Sequence, residues 1–432
     1  MNNKHRIAVV GAGPMGLMCT MELQKRGYHV DIFEHDDRIG GMSATFDFDG
    51  LPLERYYHFV CKTDDPLFAL LQEMGLSDKL KWVETKMGYY FDGKLYPWGT
   101  PQSLLSFPGL DMVSKLRYAA MVMKTKNVSD WRELDRVNVI DWLKGWIGER
   151  GYNVLWKSLF ELKFHEYTDQ ISAAWLGTRI KRVGLSRKSL FKEQLGYLQG
   201  GSEVLLNKME QAITAKGGRI FLRMPVQKVV TEAGQVRGVQ AGGEFHPYDA
   251  VVSTVPIQYL PRLAPDLPSA FRERIDAIKN IAVACVVLKL KHAVTPNFWV
   301  NINDPSIAIP GVIEYSNLNP VGPHILYAPF YMPTTHPKYQ RSNDELIDEV
   351  LGYLAKLNPN FRPDWVMARH CSRYEYAQTV CPPGFFDMLP PMKTPLHGLW
   401  MADTAYYYPE DRSICESVKL GRQLAEAVHA GH

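Results

Sequence analysis

The glycine run Gly11-Ala12-Gly13-Pro14-Met15-Gly16 constrains this chain more than any other stretch, because of what stands on either side of it. Arg6 to Val10, just before it, reads as a short buried strand. Apolar spacing from about Met15 to Arg26 reads as a helix, and Gly27 supplies its C-terminal cap. His29 to Phe33 reads as a second strand, closed by Glu34. Strand, glycine turn, helix and strand in that order make a β-α-β unit. The glycines differ in what each makes sterically possible. Gly11 permits the tight turn, Gly13 lets a pyrophosphate approach backbone N–H groups, and Gly16 lets helix and strand pack closely. The helix N-terminus turns its partial positive charge toward the phosphates. Glu34, 23 residues after Gly11, is placed to accept hydrogen bonds from a ribose hydroxyl pair and to repel a 2′-phosphate. The unit predicts a dinucleotide site, and by itself does not separate NAD from FAD.

The next residues are His35-Asp36-Asp37-Arg38-Ile39-Gly40-Gly41-Met42. Here the sequence resembles the flavoprotein superfamily of flavin amine oxidases, protoporphyrinogen oxidases and phytoene-desaturase-like enzymes and, more distantly, UDP-galactopyranose mutases. Its pattern is an acidic residue, then Arg-x-Gly-Gly, with the glycine pair passing close to the flavin end of FAD. Asp36 and Met42 depart from it, since amine oxidases usually carry arginine at both places. Two distant segments fit the same resemblance. Gln199-Gly200-Gly201-Ser202, an amphipathic helix, Gly217-Gly218-Arg219-Ile220, Pro225-Val226 and Asp249 to Pro256 look like the middle FAD segment, where Val226 would meet the adenine through its backbone. Gly398 to Asp403 reads as a strand ending in a carboxylate, with Ala402 where glycine is commoner, and Ile414 to Val428 reads as a closing helix. By resemblance Asp403 binds the ribityl or pyrophosphate part of FAD. Backbone N–H groups at Ser413 and Ile414 face the flavin N1–C2=O edge, where a helix N-terminus stabilises the charge of reduced flavin.

The resemblance therefore implies FAD as cofactor and an α/β fold. A discontinuous Rossmann-like, glutathione-reductase-like FAD-binding domain (1–59, 196–258 and 395–432) is expected to be interleaved with an α+β substrate domain (60–195, mostly helical, and 259–394, sheet plus helices). In the first insertion Asn138 is expected to cap a helix carrying Ile140, Leu143 and Ile147 that ends near Gly148 or Gly151. In the second, Ala282 to Leu290 and His324 to Tyr331 read as strands, and Asp344 to Leu357 as a helix.

Charge narrows the partners. The chain has 49 Lys+Arg against 46 Asp+Glu, a balance that carries no footprint for nucleic acid. It is uneven, though: residues 111 to 192 hold 16 basic and 9 acidic residues. From Gln170 through Lys192 there is no acid, while Arg179, Lys181, Arg182, Arg187, Lys188 and Lys192 alternate with Trp175, Leu176, Ile180, Val183, Leu185, Leu190 and Phe191. Such a segment is a solvated basic face over an ordinary core, a docking strip for an anionic membrane, or a site for an anionic substrate. The six cysteines show no C-x-x-C spacing and no pattern with histidine, which predicts reduced thiols, no metal site and a cytoplasmic protein. No apolar run approaches the length of a membrane span. Lys4-His5-Arg6 and the apolar residues after it are not expected to be a signal peptide, since their glycines belong to the turn and no cleavage site follows.

Catalytic candidates come from two stretches. Glu54-Arg55-Tyr56-Tyr57-His58-Phe59 stands where family members bring a strand across the flavin, so Tyr57 and His58 are expected at the ring. Tyr406 to Ser413 contains a Tyr-Pro-x-Asp-Arg core resembling that of a bacterial protoporphyrinogen-oxidase-like group. Lys163-Phe164, Ile171 to Trp175, Arg179, Ser186-Arg187 and Tyr90 to Pro97 fit that group too. This makes Tyr408 a pocket-shaping residue and Arg412 a holder of an anionic substrate group or of FAD. Gly-x-Ser-x-Gly, His-x-x-x-His and P-loop patterns are absent, against hydrolase, metalloprotease and triphosphatase chemistry. The expected activity is two-electron oxidation or desaturation of a small or lipid-linked molecule by hydride transfer to flavin N5; the alternative is redox-neutral mutase or isomerase chemistry.

Overall fold

A computed structural model describes residues 5–189 and 191–431; Leu190 of the basic run lies outside them. The strand Arg6–Val10 is the middle of a five-stranded parallel sheet whose order is Ile220–Phe221, His29–Phe33, Arg6–Val10, Ala250–Ser253, Leu399–Met401. Ile7 pairs with Val30 on one side and Ala250 on the other. The strand is buried on both faces, with Ile7, Ala8 and Val9 wholly enclosed, as a parallel sheet covered by helices requires. One sheet is thus built from three distant stretches of chain. The helix Pro14–Lys25 starts with proline in its first turn, has Gly13 as N-cap and has no side chain capping it. It packs on the helices Ile414–Gly431 and Glu203–Ala215. Gly11 turns at φ +106°, and a Cβ on Gly16 would stand 2.1 Å from the Gly11 carbonyl oxygen, so helix and turn touch backbone to backbone.

A second sheet has seven strands in the order Val366–Thr379, Asn280–Leu290, His324–Met332, Gly311–Glu314, Trp299–Asn303, Met87–Phe91, Lys94–Trp98. The expected strands and helices of the second insertion are present: Asn280–Leu290 pairs antiparallel with His324–Met332, and Ser342 and Glu345 form a capping box on the helix Asn343–Leu357. Asn138 caps the helix Val139–Tyr152 by accepting the Ile140 N–H (2.8 Å), and that helix is interrupted at Gly148. Beside its helices the first insertion carries short strands that its sequence does not announce. Its hairpin Met87–Phe91 and Lys94–Trp98 joins the second insertion's sheet by parallel pairing with Trp299–Asn303, and Leu80–Glu84 pairs with Lys192–Leu198. Strands this short carry too little alternation to stand out beside long helices.

The basic run is the largest correction. Ala173–Leu185 is a helix, but its cations are not spread over water. Arg182 pairs with Asp64 (2.9 Å) and both are nearly enclosed, while Arg179 pairs with Asp411 (2.8 Å). Lys181 donates to the Val128 carbonyl and Arg187 to the Gly99 carbonyl. Lys188 and Lys192 share Glu84 (3.0 and 2.9 Å). Arg179 and Arg182 tie distant parts of the fold together, while Lys188 and Lys192 stay at the surface beside Glu84. Among the described residues no helix is long and apolar enough to cross a membrane. All six cysteines are buried and unbonded.

Candidate active site

One cavity of about 700 Å³ runs across the C-terminal ends of the parallel strands and up against the seven-stranded sheet. That volume is in the range of small-molecule sites, and the strand ends are where open parallel sheets bind ligands. Gly11, Glu34, Thr254 and Asp403, each just beyond the end of a parallel strand, all line it.

On the dinucleotide side the cavity is walled by the glycine turn and the residues after the second strand. Gly13, Pro14 and Met15 line the cavity at the uncapped helix N-terminus, and the space where a Gly13 Cβ would point is empty. Ala12 and Gly16 stand behind them. The Ala12 N–H donates to Glu34 Oε2 (2.7 Å), and the Asp36 N–H and the His35 ring reach Oε1 (2.9 and 2.7 Å). Burial works against the Glu34 charge, but these donors outweigh it and hold the carboxyl below its usual range. His35, Arg38, Gly41 and Met42 are in the wall. Gly40 supports them from behind, its N–H donating to the Ala12 carbonyl (2.9 Å), and Arg38 also grips Asp37 and the Thr45 carbonyl. Asp403 accepts the Ile257 and Ala405 N–H groups (3.0 and 2.9 Å); burial outweighs both and pushes it up to about 6. Ser413 lines the cavity and accepts the Glu416 N–H (3.1 Å) at the start of the last helix, with Ile414 behind it.

Tyr57, His58 and Arg412 are brought together on the far side. Tyr57 meets Trp299 and Tyr327 edge-on (5.4 and 5.7 Å), and burial holds its phenol well above its usual range, so it works as a neutral hydroxyl. His58 is fixed at both nitrogens, Nδ1 to Glu54 (3.0 Å) and Nε2 to Ser43 (3.3 Å). Glu54 in turn accepts the Ser202 N–H (2.7 Å). His58→Ala leaves buried Glu54 short of a donor, with an expected loss of about 1–3 kcal/mol in a denaturant titration.

Two expected residues lie elsewhere. Tyr408 is outside the cavity wall; its hydroxyl meets Asp135 and Ser172, and its ring packs on Phe385 and Phe386. A tyrosine beside proline in a motif is as useful for packing as for a pocket. Val226 is buried at the start of the strand Val226–Glu232 and is not in the wall either; the chain approaches the site two residues earlier, where the Met224 N–H donates to the Glu34 carbonyl (2.7 Å). Sequence reasoning left out the wall from the insertions, including Lys163, Trp299, Asn301 and Tyr331. A usable signal was present: Leu159 and Lys163 both line the cavity and, four apart, share a face of the helix Ser158–Phe164.

An uncapped helix start, an anchored acid at the second strand end, a second helix start beside Ser413 and one continuous cavity fit a dinucleotide. Fold and cavity define a dinucleotide-binding scaffold. The pattern of flavin-containing amine oxidoreductases matches residues 16–410, and the chain belongs to that family. The flavin that the family's description names fits this cradle. The chain is 24% identical over 323 residues to 15-cis-phytoene desaturase of Synechococcus elongatus, covering 67% of this chain and 66% of that one, so it spans just under two thirds of that relative's length. A candidate protoporphyrinogen oxidase of Exiguobacterium superposes over 100% of both chains with TM-score 0.76 at 18% identity. Putrescine oxidase with bound putrescine superposes over 99% of both with TM-score 0.73 at 19% identity. These likenesses are of fold.

Proposed function

We propose that the enzyme oxidises or desaturates a small or lipid-linked molecule that enters between the parallel sheet and the seven-stranded sheet. The carrying observation is that the dinucleotide cradle and the aromatic wall of Tyr57, Trp299 and Tyr331 belong to one cavity. FAD, when bound, supplies a two-electron acceptor at N5. The chain's residues orient the substrate and keep water out. Tyr57 offers a hydroxyl that stays protonated, His58 holds the strand in place through Glu54 and Ser43, and Asp403 and Glu34 are anchored acids for the cofactor's sugar and chain hydroxyls. No observation favours the redox-neutral alternative. Anaerobic mixing of the holoenzyme with 15-cis-phytoene and with putrescine, the compounds that the similar proteins' names point to, tests the reading: a substrate of this type bleaches the flavin's visible bands. Turnover that requires prior reduction with dithionite and leaves the flavin reduced would sink it.

For contact with an anionic membrane we look to the helix Met112–Lys126, since the cations of 170–192 are engaged. Met112, Val113, Leu116 and Met123 are each more than half exposed on it, with Arg117 and Lys124 among the exposed residues and no acid within the helix. Burying each large side chain in lipid contributes about 1.5–3 kcal/mol. Leu116→Glu with Met123→Glu is expected to weaken sedimentation with phosphatidylserine-containing vesicles at least about tenfold; unchanged sedimentation removes this surface from consideration.

A further inference from the structure

We propose that Lys163 and Arg412 form an oxyanion-binding pair in the substrate half of the cavity, so that the substrate carries a carboxylate or phosphate group. The inference rests on the flavin-dependent reading above and names its substrate class.

Cations outnumber carboxylates at the cavity's far end. Lys163, Arg182 and Arg412 line it against one lining acid, Asp411; Arg179 and Asp64 stand behind, and Glu410 and Glu416 act on Arg179 and Arg182. Asp64 is taken by Arg182 and Asp411 by Arg179. The Arg412 backbone N–H adds a further donor to Asp411 (2.9 Å). Burial opposes the Asp411 charge, yet the surrounding cations hold its carboxyl below the usual range. Lys163 and Arg412 are left over. Among the described residues neither has a carboxylate within 4 Å of its cationic nitrogens, and both line the cavity. An arginine does not shed its proton, so Arg412 keeps a positive charge that no side chain neutralises. Its guanidinium reaches the Tyr331 side chain, and its Nε is buried without a partner.

Lys163 is held by aromatic faces. Its Nζ stands 5.0 Å from the Trp175 ring centre and 4.9 Å from that of Tyr331. It is carried by the helix Ser158–Phe164, which packs on the strands His324–Met332 and Trp299–Asn303 of the seven-stranded sheet. The pair therefore belongs to the substrate wall, while the phosphates of a dinucleotide have the uncapped helix at Pro14. An uncompensated cation in an aromatic cavity is unfavourable until a counter-charge arrives. An oxyanion set between an ammonium and a guanidinium supplies it and positions the rest of the substrate.

The pair also makes binding sensitive to pH. Burial, with Arg412 and Arg179 nearby, pushes the Lys163 ammonium down to about 7, Asp411 opposing. The titratable groups facing it are Arg412 and Asp411 from the loop before the last helix, Arg179 from Ala173–Leu185 and Tyr331 from the sheet; Trp299 and Asn301 on the neighbouring strand do not titrate. The protonated form is the anion binder, so affinity is greatest below that value and falls as pH rises through it.

Phenylacetate, its neutral amide phenylacetamide and inorganic phosphate are the probes, titrated into FAD-loaded enzyme by calorimetry and by perturbation of the flavin bands. Phenylacetate or phosphate should bind at least about tenfold more tightly than the amide at pH ~6, and the advantage should shrink severalfold by pH ~9. Lys163→Met should remove both the advantage and its pH dependence, with FAD content unchanged. Lys163→Arg should keep the advantage at both pH values, and Arg412→Met should weaken it at both. Tighter phosphate than phenylacetate selects a phosphorylated substrate, and the reverse selects a carboxylate. Equal binding of acid, phosphate and amide, or unchanged anion binding in Lys163→Met and Arg412→Met, overturns the pair. A preparation that takes up no FAD fails the flavin reading instead, and calorimetry on that colourless protein still reads the anion site.

Discussion

Gly13→Ala should leave the apoprotein's melting temperature within about 2 °C of the parent while weakening FAD binding about ten- to hundredfold, whereas Gly16→Ala should lose both stability and cofactor. The two glycines stand three residues apart in one motif, and their surroundings differ. Gly13 has φ −69° and ψ 170°, extended backbone open to any residue, and no protein atom lies within 4 Å of where its Cβ would be. Alanine there meets nothing in the protein. The added methyl sits at the uncapped helix start on the cavity wall, where a pyrophosphate must approach the backbone, and the overpacking cost of about 1–3 kcal/mol falls on the ligand alone. At Gly16 the new Cβ lands 2.1 Å from the Gly11 carbonyl oxygen and 2.8 Å from the Thr254 hydroxyl. A backbone oxygen cannot rotate aside, so the helix has to back away from the sheet, at a cost of about 3 kcal/mol or more. Thermal melts of apoprotein with a fluorescence titration of FAD separate the two effects. If Gly13→Ala loads FAD as well as the parent, the cofactor's phosphates do not pass this turn.

That the glycine motif could be read from sequence so fully has a physical reason: apart from the packing of Thr254 against it, the interactions that define it lie along one short β-α-β unit. The turn, the helix start, Glu34 and its Ala12 donor fall within 24 residues, and periodicity and steric demand are visible at that range. The closing helix and the cap at Asn138 are legible for the same reason. The substrate wall is different. Lys163 meets the wall of Trp299 and Tyr331 only because the helix Ser158–Phe164 of the first insertion packs on strands of the second, and nothing in the spacing of either insertion states that packing. Tyr408 shows the converse error: its motif was visible, but its partners Asp135 and Ser172 lie more than 230 residues away, and they make it a packing residue.

The basic run carries this furthest, and it gives the largest stability effect expected for the molecule. Arg182 donates to Asp64 through Nε and a terminal nitrogen (3.2 and 2.9 Å), across 118 residues, with the two side chains 11% and 5% exposed. Asp64 also accepts the Cys61 N–H (2.9 Å) just before the helix Asp65–Glu73. Removing one partner leaves the other charge buried and unpaired, so Asp64→Ala or Arg182→Met alone should destabilise by about 3–5 kcal/mol. Asp64→Asn with Arg182→Met removes both charges and keeps an acceptor for Cys61. The pair's own contribution is small once desolvation is subtracted, so the double variant should recover to within about 1–2 kcal/mol of the parent. Equilibrium denaturation of the four proteins closes this cycle. Single variants that each cost less than about 1 kcal/mol would mark an ordinary surface pair and return the segment to solvent. The expected large coupling instead explains why a stretch of 23 residues can carry six cations and no acid: its counter-ions, Asp64, Asp411 and Glu84, lie elsewhere in the chain, and the Arg179–Asp411 pair ties the insertion to the closing segment.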